Sequence, residues 1–261
     1  MELFGKKKIA LGMVQPPPLP GSYLYDGRGM EAILDYTLNE AGTLQKYGFD
    51  GYILQNFADG PVKQQCGPET VACMTALATR LKAAFPEMVQ GILVNWDGVA
   101  SLAVAEAAGS DFVRVEHVYT RAEMTLCGMI EGQCVEVLEL KKKLGSKMPI
   151  YADIYEFHGT PAYPIPLPQH AFETVTGAHA DGLLLSAPTP EKSIEYAQSV
   201  RGLVEVPLIL GGGTTGDNVY ELLQHYDGVC VGAWIKDGSL QNPVNPERAK
   251  RYMAEVNRAR A

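Results

Sequence analysis

The chain has 261 residues, 46% of them hydrophobic and 20% charged, with a formal net charge of −8. That is enough apolar side chain for a core that needs no disulfide or metal staple, and an acidic balance that argues against nonspecific nucleic-acid or anionic-membrane binding. No apolar run nears the roughly 18 residues of a membrane span, Met1 to Lys8 lacks the apolar stretch of a secretory signal, and Cys66, Cys73, Cys127, Cys134 and Cys230 form no CxxC pair, as expected of reduced thiols in a cytoplasmic protein.

The chain order alternates strand and helix. Ile9 to Val14 is the first apolar, strand-like run, followed by a helical stretch with Leu34, Leu38, Ala41 and Leu44 on one face. Gly51 to Leu54 is the second strand. In the helix from Glu69 to Phe85, Val71, Met74, Leu77, Ala78 and Leu81 share a face. The remaining strands are Val89 to Val94, Phe112 to Val115, Ile150 to Ile154, Gly182 to Leu185, Leu208 to Leu210 and Gly228 to Val231. Their near-continuous apolar character predicts parallel strands buried on both faces. The turns Gly48-Phe49-Asp50-Gly51, Gly109-Ser110-Asp111, Ala180-Asp181-Gly182 and Tyr226-Asp227-Gly228 read as structural helix-to-strand turns. Eight such alternations in a barrel-sized chain predict the α/β class, as a single (β/α)₈ TIM barrel over residues 1–261, with an open doubly wound sheet as the alternative. The Pro-rich stretches Pro16 to Pro20 and Pro161 to Pro168 fall where strand-to-helix loops belong, on the face where barrel enzymes do chemistry.

The most specific segment is Leu208 to Asn218, a strand, three glycines, two threonines and a helix expected to start near Asp217. Glycines let the backbone turn its N–H groups onto a ligand, and the helix start would add further donors. Gly232 and Ala233 open the end of the last strand with small residues. Small residues after strands seven and eight form the recurrent phosphate cradle of this fold. Gly212, Gly213, Thr214, Gly232 and Ala233 are therefore the expected phosphate-binding residues, against a reading as two tight turns without a ligand.

Other strand ends carry chemistry. Asp153 ends strand five, where a carboxylate would act as general base or metal ligand or would buttress a loop. His158 follows as a partner acid or a solvated loop histidine. Arg114 and Glu116 share one face of strand four by the period of two, with a mutual ion pair as the plain alternative to catalytic roles. Gln15, Asn56, Asn95, Asp97 and Ser186 stand at other strand ends as substrate-binding candidates; the asparagines and Asp97 equally suit turn chemistry. Nothing resembles a serine triad or a zinc motif, so no metal site is assigned. Magnesium held through water by Asp153 and Glu116 is compatible with the spacing but not required by it.

The chain resembles the BtpA/SgcQ family, named for photosystem I biogenesis in some members and found near sugar-utilisation genes in others. The resemblance runs from about Ile9 to Arg251. Gly12-Met13-Val14, Pro18-Leu19-Pro20-Gly21-Ser22, Asn56-Phe57, Pro68-Glu69-Thr70-Val71 and Phe112 to Val115 carry it. So do Gly128 to Gly132, Ala152-Asp153 with His158, Gly211 to Asn218, Asp227-Gly228 through Gly232, Lys236-Asp237-Gly238 and Asn242-Pro243-Val244. It implies a barrel with a phosphate-binding C-terminal face and supplies no reaction. The family pattern has ionisable residues where this chain has Gln15, Gln55, Leu126 and Phe157, which implies either another substrate or diminished proton transfer.

The resulting expectation is an enzyme acting on a small phosphorylated metabolite, of the sugar-phosphate isomerase, epimerase or lyase type, with Asp153 as base, His158 as acid and Arg114 stabilising an oxyanion. A noncatalytic anion-binding or assembly protein is the rival. Phosphoribosyl or nucleoside chemistry, with Tyr119, Trp96 and Phe157 for stacking, is third. No nucleic acid or membrane partner is expected, and a homo-oligomer is.

Overall fold

Eight parallel strands close on themselves in the computed structural model, which describes residues 1–117, 119–155 and 159–261. The barrel strands are β1 (Ile9–Val14), β2 (Gly51–Gln55), β3 (Val89–Leu93), β4 (Phe112–Val115), β5 (Ile150–Tyr155), β6 (Gly182–Leu185), β7 (Leu208–Leu210) and β8 (Gly228–Val231). Each is followed by its helix: α1 (Gly29–Lys46), α2 (Pro68–Ala84), α3 (Gly98–Ala108), α4 (Cys134–Leu144), α5 (Leu167–Thr176), α6 (Pro190–Val200), α7 (Val219–Leu222) and α8 (Pro246–Arg260). Strand neighbours follow chain order, and β8 closes on β1 with Gly228 opposite Ile9 and Cys230 opposite Leu11. This is the (β/α)₈ barrel that the alternation predicted. Among the described residues, no helix is long and apolar enough to cross a membrane.

Because strand side chains alternate, each strand divides its residues between two cores. The larger lies between strands and helices and includes Ala10, Leu54, Ile92, Leu185 and Leu210. The smaller fills the barrel with Ile9, Leu11, Met13, Phe112, Tyr151, Leu184, Ile209 and Cys230 among others. Two interior rings need two interior glycines. A Cβ on Gly91 would lie 2.2 Å from the Phe112 ring, and one on Gly182 would lie 2.2 Å from the Tyr151 ring. Larger residues at either position would overpack a filled interior.

A short hairpin, Glu2–Leu3 with Lys6–Lys7, plugs the N-terminal end. Leu3 joins the interior core, and the Phe4 ring stacks 5.7 Å from that of Phe112. In the sequence this segment shows only its charge, because two apolar residues make no period.

The four Gly/Asp turns share one device at this end. Asp50 accepts a hydrogen bond from Ala10 N (2.8 Å), Asp111 from Gln90 N (2.7 Å), Asp181 from Ile150 N (2.9 Å) and Asp227 from Leu208 N (2.9 Å). Each aspartate before an even-numbered strand thus holds the start of the preceding odd-numbered strand. Each also meets a cation: Arg260, Lys82, Lys141 and Arg201, respectively.

Irregular structure collects at the opposite end. An antiparallel sheet of Ala122–Thr125, Gly128–Glu131 and Thr160–Pro161 rises from the loops after β4 and β5. Single-turn 3₁₀ helices follow β2 (Phe57–Asp59) and β8 (Ala233–Lys236).

Candidate functional site

A cavity of about 1000 Å³ opens at the C-terminal end of the barrel. Gln15, Gln55, Asn95, Arg114, Glu116, Ser186 and the glycine turn after β7 line it, with Trp96, Phe57, Trp234 and Leu240 as apolar wall. Its floor residues Gln15, Gln55, Asn95, Arg114 and Ser186 each stand two positions past an inward-facing core residue (Met13, Ile53, Leu93, Phe112 and Leu184), so they point inward by the same alternation.

The glycine turn is placed as its composition suggests. Gly211 N donates to Leu185 O at 2.8 Å, and a Cβ on Gly211 would stand 2.7 Å from Ser186 Oγ. The strand end and β6 meet there only because the side chain is missing. Gly213 adopts φ +77°, the left-handed region open to glycine. The N–H groups of Gly212, Gly213, Gly232 and Ala233 donate to no protein acceptor among the described residues. Two expectations for this segment need correction. The helix after it begins at Val219 and has four residues, because Asn218 accepts from Thr215 N (2.7 Å) and donates to Gly213 O (3.1 Å), fastening a turn where Asp217 was expected to start the helix. The Thr214 hydroxyl is already spent: it donates to Cys230 O (3.3 Å) and accepts from Tyr252 Oη (2.8 Å).

Sequence reasoning missed a cation beside this turn. Arg248 of α8 lines the cavity, donates to Trp234 O (2.9 Å), pairs with Asp237 (2.8 Å) and lies 5.2 Å from the Trp234 ring centroid. Nothing local marks it, since an arginine on a helix face is ordinary.

The charged group at β4 and β5 is rearranged relative to expectation. Arg114 grips Asp153 through two bonds, Nε to Oδ1 at 3.2 Å and Nη2 to Oδ2 at 2.8 Å, while its contact with Glu116 is longer, at 3.5 Å. Burial alone would lower the guanidinium pKa, but the Asp153 and Glu116 carboxylates outweigh it and hold the pKa above its ordinary value. Asp153 is 2% exposed with both oxygens engaged, so it is poorly placed to accept a substrate proton or to ligate magnesium. Glu116 lines the cavity and is the more open carboxylate. His158 and Phe157 lie outside the described residues.

The strand-end amides form a chain. Gln15 Nε2 donates to Gln55 Oε1 at 2.9 Å, and Gln55 Nε2 donates to Asn95 Oδ1 at 2.9 Å and approaches Glu116 at 3.4 Å. Asn56 and Asp97 are turned to structure instead. Asn56 donates to Asp59 (2.9 Å) and accepts from Asn95 N (2.7 Å). Asp97 caps α3 through Ala100 N (2.9 Å) and accepts from Cys66 N (3.0 Å). Of the aromatic residues expected to stack on a ligand, Trp96 reaches the cavity, while Tyr119 is fully buried with its hydroxyl on Ala178 O. Lys236 and Glu40 form a buried ion pair at 2.6 Å that joins the 3₁₀ helix after β8 to α1, so the Lys236-Asp237-Gly238 motif is partly architectural. Among the described residues no group of three or more His, Cys, Asp or Glu side chains could hold a metal ion.

Comparison with known proteins agrees with the architecture. The chain is 34% identical to an uncharacterised protein of Methanocaldococcus jannaschii, over 97% of each chain. It is 31% identical to the photosystem I biogenesis protein BtpA of Synechocystis, covering 97% of this chain and 89% of that one. Tryptophan synthase from M. tuberculosis superposes with a TM-score of 0.62 at 13% identity, over 96% of this chain and 93% of that one, which is a likeness of fold. The BtpA family pattern matches residues 6–258, and with relatives of this similarity along almost the whole chain, the protein belongs to the BtpA family.

Proposed function

We propose that the protein is an enzyme acting on a small phosphorylated metabolite, of the sugar-phosphate isomerase, epimerase or lyase type. One observation carries the reading: Gly212, Gly213, Gly232 and Ala233, whose N–H groups find no acceptor among the described residues, line the same cavity as Glu116 and Arg114. The N–H groups would take the phosphate oxygens, with Arg248 adding positive charge nearby. Glu116, rather than the clamped Asp153, would move the proton, because it combines access to the cavity with a looser contact to Arg114. Arg114 would stabilise a developing enolate or alkoxide oxygen, positioned by Asp153. Neutral residues at positions 15, 55 and 126 favour the noncatalytic anion-binding reading as second.

The test is a thermal-shift series with inorganic phosphate, sulfate and sugar phosphates, with and without magnesium. A ligand at a hundred times its Kd stabilises by about 2.7 kcal/mol. Gly212→Asp is the better disruptive variant than a substitution at Gly213. Its Cβ meets nothing nearer than Ser186 Oγ at 3.9 Å, and its φ is unstrained. The shift should vanish in that variant while the unliganded Tm stays close to wild type. For a compound that is turned over, Glu116→Gln should cut kcat by roughly 100-fold or more; full turnover would remove Glu116 as the base. Absence of any anion-induced shift would leave the assembly-protein reading in place.

A further inference from the structure

Gln15 stands on the side of the cavity formed by β1 and β2, and among the described residues its Oε1 is a buried acceptor without a hydrogen-bond donor. Its orientation follows from its neighbours and does not depend on telling amide oxygen from nitrogen. An ionised carboxylate only accepts hydrogen bonds. Glu116 therefore requires Gln55 to present Nε2, which lies 3.4 and 3.5 Å from the two carboxylate oxygens. Gln55 must then turn Oε1 toward Gln15, and Gln15 must answer with Nε2, at 2.9 Å. Among the described residues, this leaves the Gln15 carbonyl oxygen as a buried acceptor without a donor. A buried acceptor of this kind costs stability until a donor reaches it.

We infer that Gln15 is a specificity-determining residue: it takes a hydrogen-bond donor, a hydroxyl or an amine N–H, from the non-phosphate part of the ligand, and it discriminates against a carboxylate there. The inference rests on the phosphate reading of the glycine cradle. The ligand it describes is a phosphorylated polyol or amino polyol rather than a phosphorylated sugar acid. The protein reads the difference through an amide chain whose direction is set by Glu116.

Sorbitol 6-phosphate and 6-phosphogluconate differ only in carrying a hydroxymethyl group or a carboxylate at the far carbon, and inorganic phosphate tests the cradle alone. Kd values for all three are measured by calorimetry on wild type, Gln15→Met and Gln15→Lys. Wild type should prefer the polyol phosphate at least tenfold. Gln15→Met, which removes the acceptor, should bring the two Kd values within about threefold. Gln15→Lys, which still donates to Gln55 but offers the ligand only donors, should invert the preference. Phosphate affinity should be unchanged in Gln15→Met. Equal binding of the two probes by wild type, no gain of either over phosphate, or a preference that survives Gln15→Met would overturn the role of Gln15 and leave the cradle standing. If neither phosphate nor either probe binds, the cradle itself is refuted and the inference falls with it.

Discussion

At the N-terminal end of the barrel, four aspartates each hold a backbone N–H of the neighbouring strand and a cation. At the C-terminal end, among the described residues, Gln15 keeps an acceptor without a donor, and the N–H groups of Gly212, Gly213, Gly232 and Ala233 find no acceptor. Strand-edge N–H groups are satisfied internally on one face, while on the other several N–H groups and one amide oxygen have no partner among the described residues. That division is what a barrel requires if one end sets stability and the other chemistry. Strand starts can be fastened by the residue just before the next strand, because parallel register brings the two side by side. Strand ends cannot be closed in the same way without filling the cavity.

The difference can be tested by breaking one tie at a time. The largest effect is expected at the closed end. Asp227 serves Leu208 N, Arg201 and the Met1 ammonium, and its side chain is nearly buried. Asp227→Ala should cost about 4 kcal/mol, since it strands a buried N–H and a cation together, lowering Tm by roughly 10 °C. A loss under about 1 kcal/mol, measured by chemical denaturation, would show that the clamps are redundant.

The next effect separates the faces by pH. The loop after β4 is tied to α5 by a neutral contact, Thr120 Oγ1 to His170 Nε2 at 2.8 Å. Burial, with Arg121 nearby, pushes the His170 pKa down to about 4. The unfolded chain therefore takes up this proton first as pH falls. The contribution is fully present above pH 6.5 and is lost between 6.5 and about 4, on the order of 3 kcal/mol in total. Asp227 titrates in a different window. Burial would raise its pKa, but the Met1 ammonium, Leu208 N and Arg201 hold it below the ordinary 3.8, so its contribution survives until pH falls below that value. A stability profile should show the upper loss in wild type and not in His170→Gln, with the lower loss common to both. An unchanged slope between pH 6.5 and 4 in His170→Gln would remove His170 as the cause.

The smallest effect sharpens the contrast at the cradle. Tyr252→Phe removes one buried hydrogen bond to Thr214 and should cost about 1 kcal/mol. Anion affinity should not change, because the hydroxyl pair anchors the turn from behind. A large loss of affinity would show that Thr214 shapes the cradle directly.

Some of this is legible in the sequence alone. The eight apolar runs fixed the strands, and the glycine turn after Leu210 announced an unusual strand end. These are local signals: a strand buried on both faces must be apolar along its length, and a backbone that turns its N–H groups outward needs glycine. The order and spacing of motifs likewise indicated the family. The sequence also placed Arg114, Glu116, Asp153, Gln15 and Asn95 at strand ends, but it could not tell which would pair. Asp153 rather than Glu116 takes the arginine, because β4 and β5 lie side by side and Tyr151 is in register with Arg114. Gln55, conspicuous in the sequence only for lacking a charge, becomes the central link of the amide chain, because residues 15, 55 and 95 end three adjacent strands. Arg248 reaches the cavity only once α8 packs behind β8. Periodicity decides which face of a strand a side chain occupies. Closure of the barrel decides which side chains meet across that face, because the partners lie some forty residues apart and come together only through strand register.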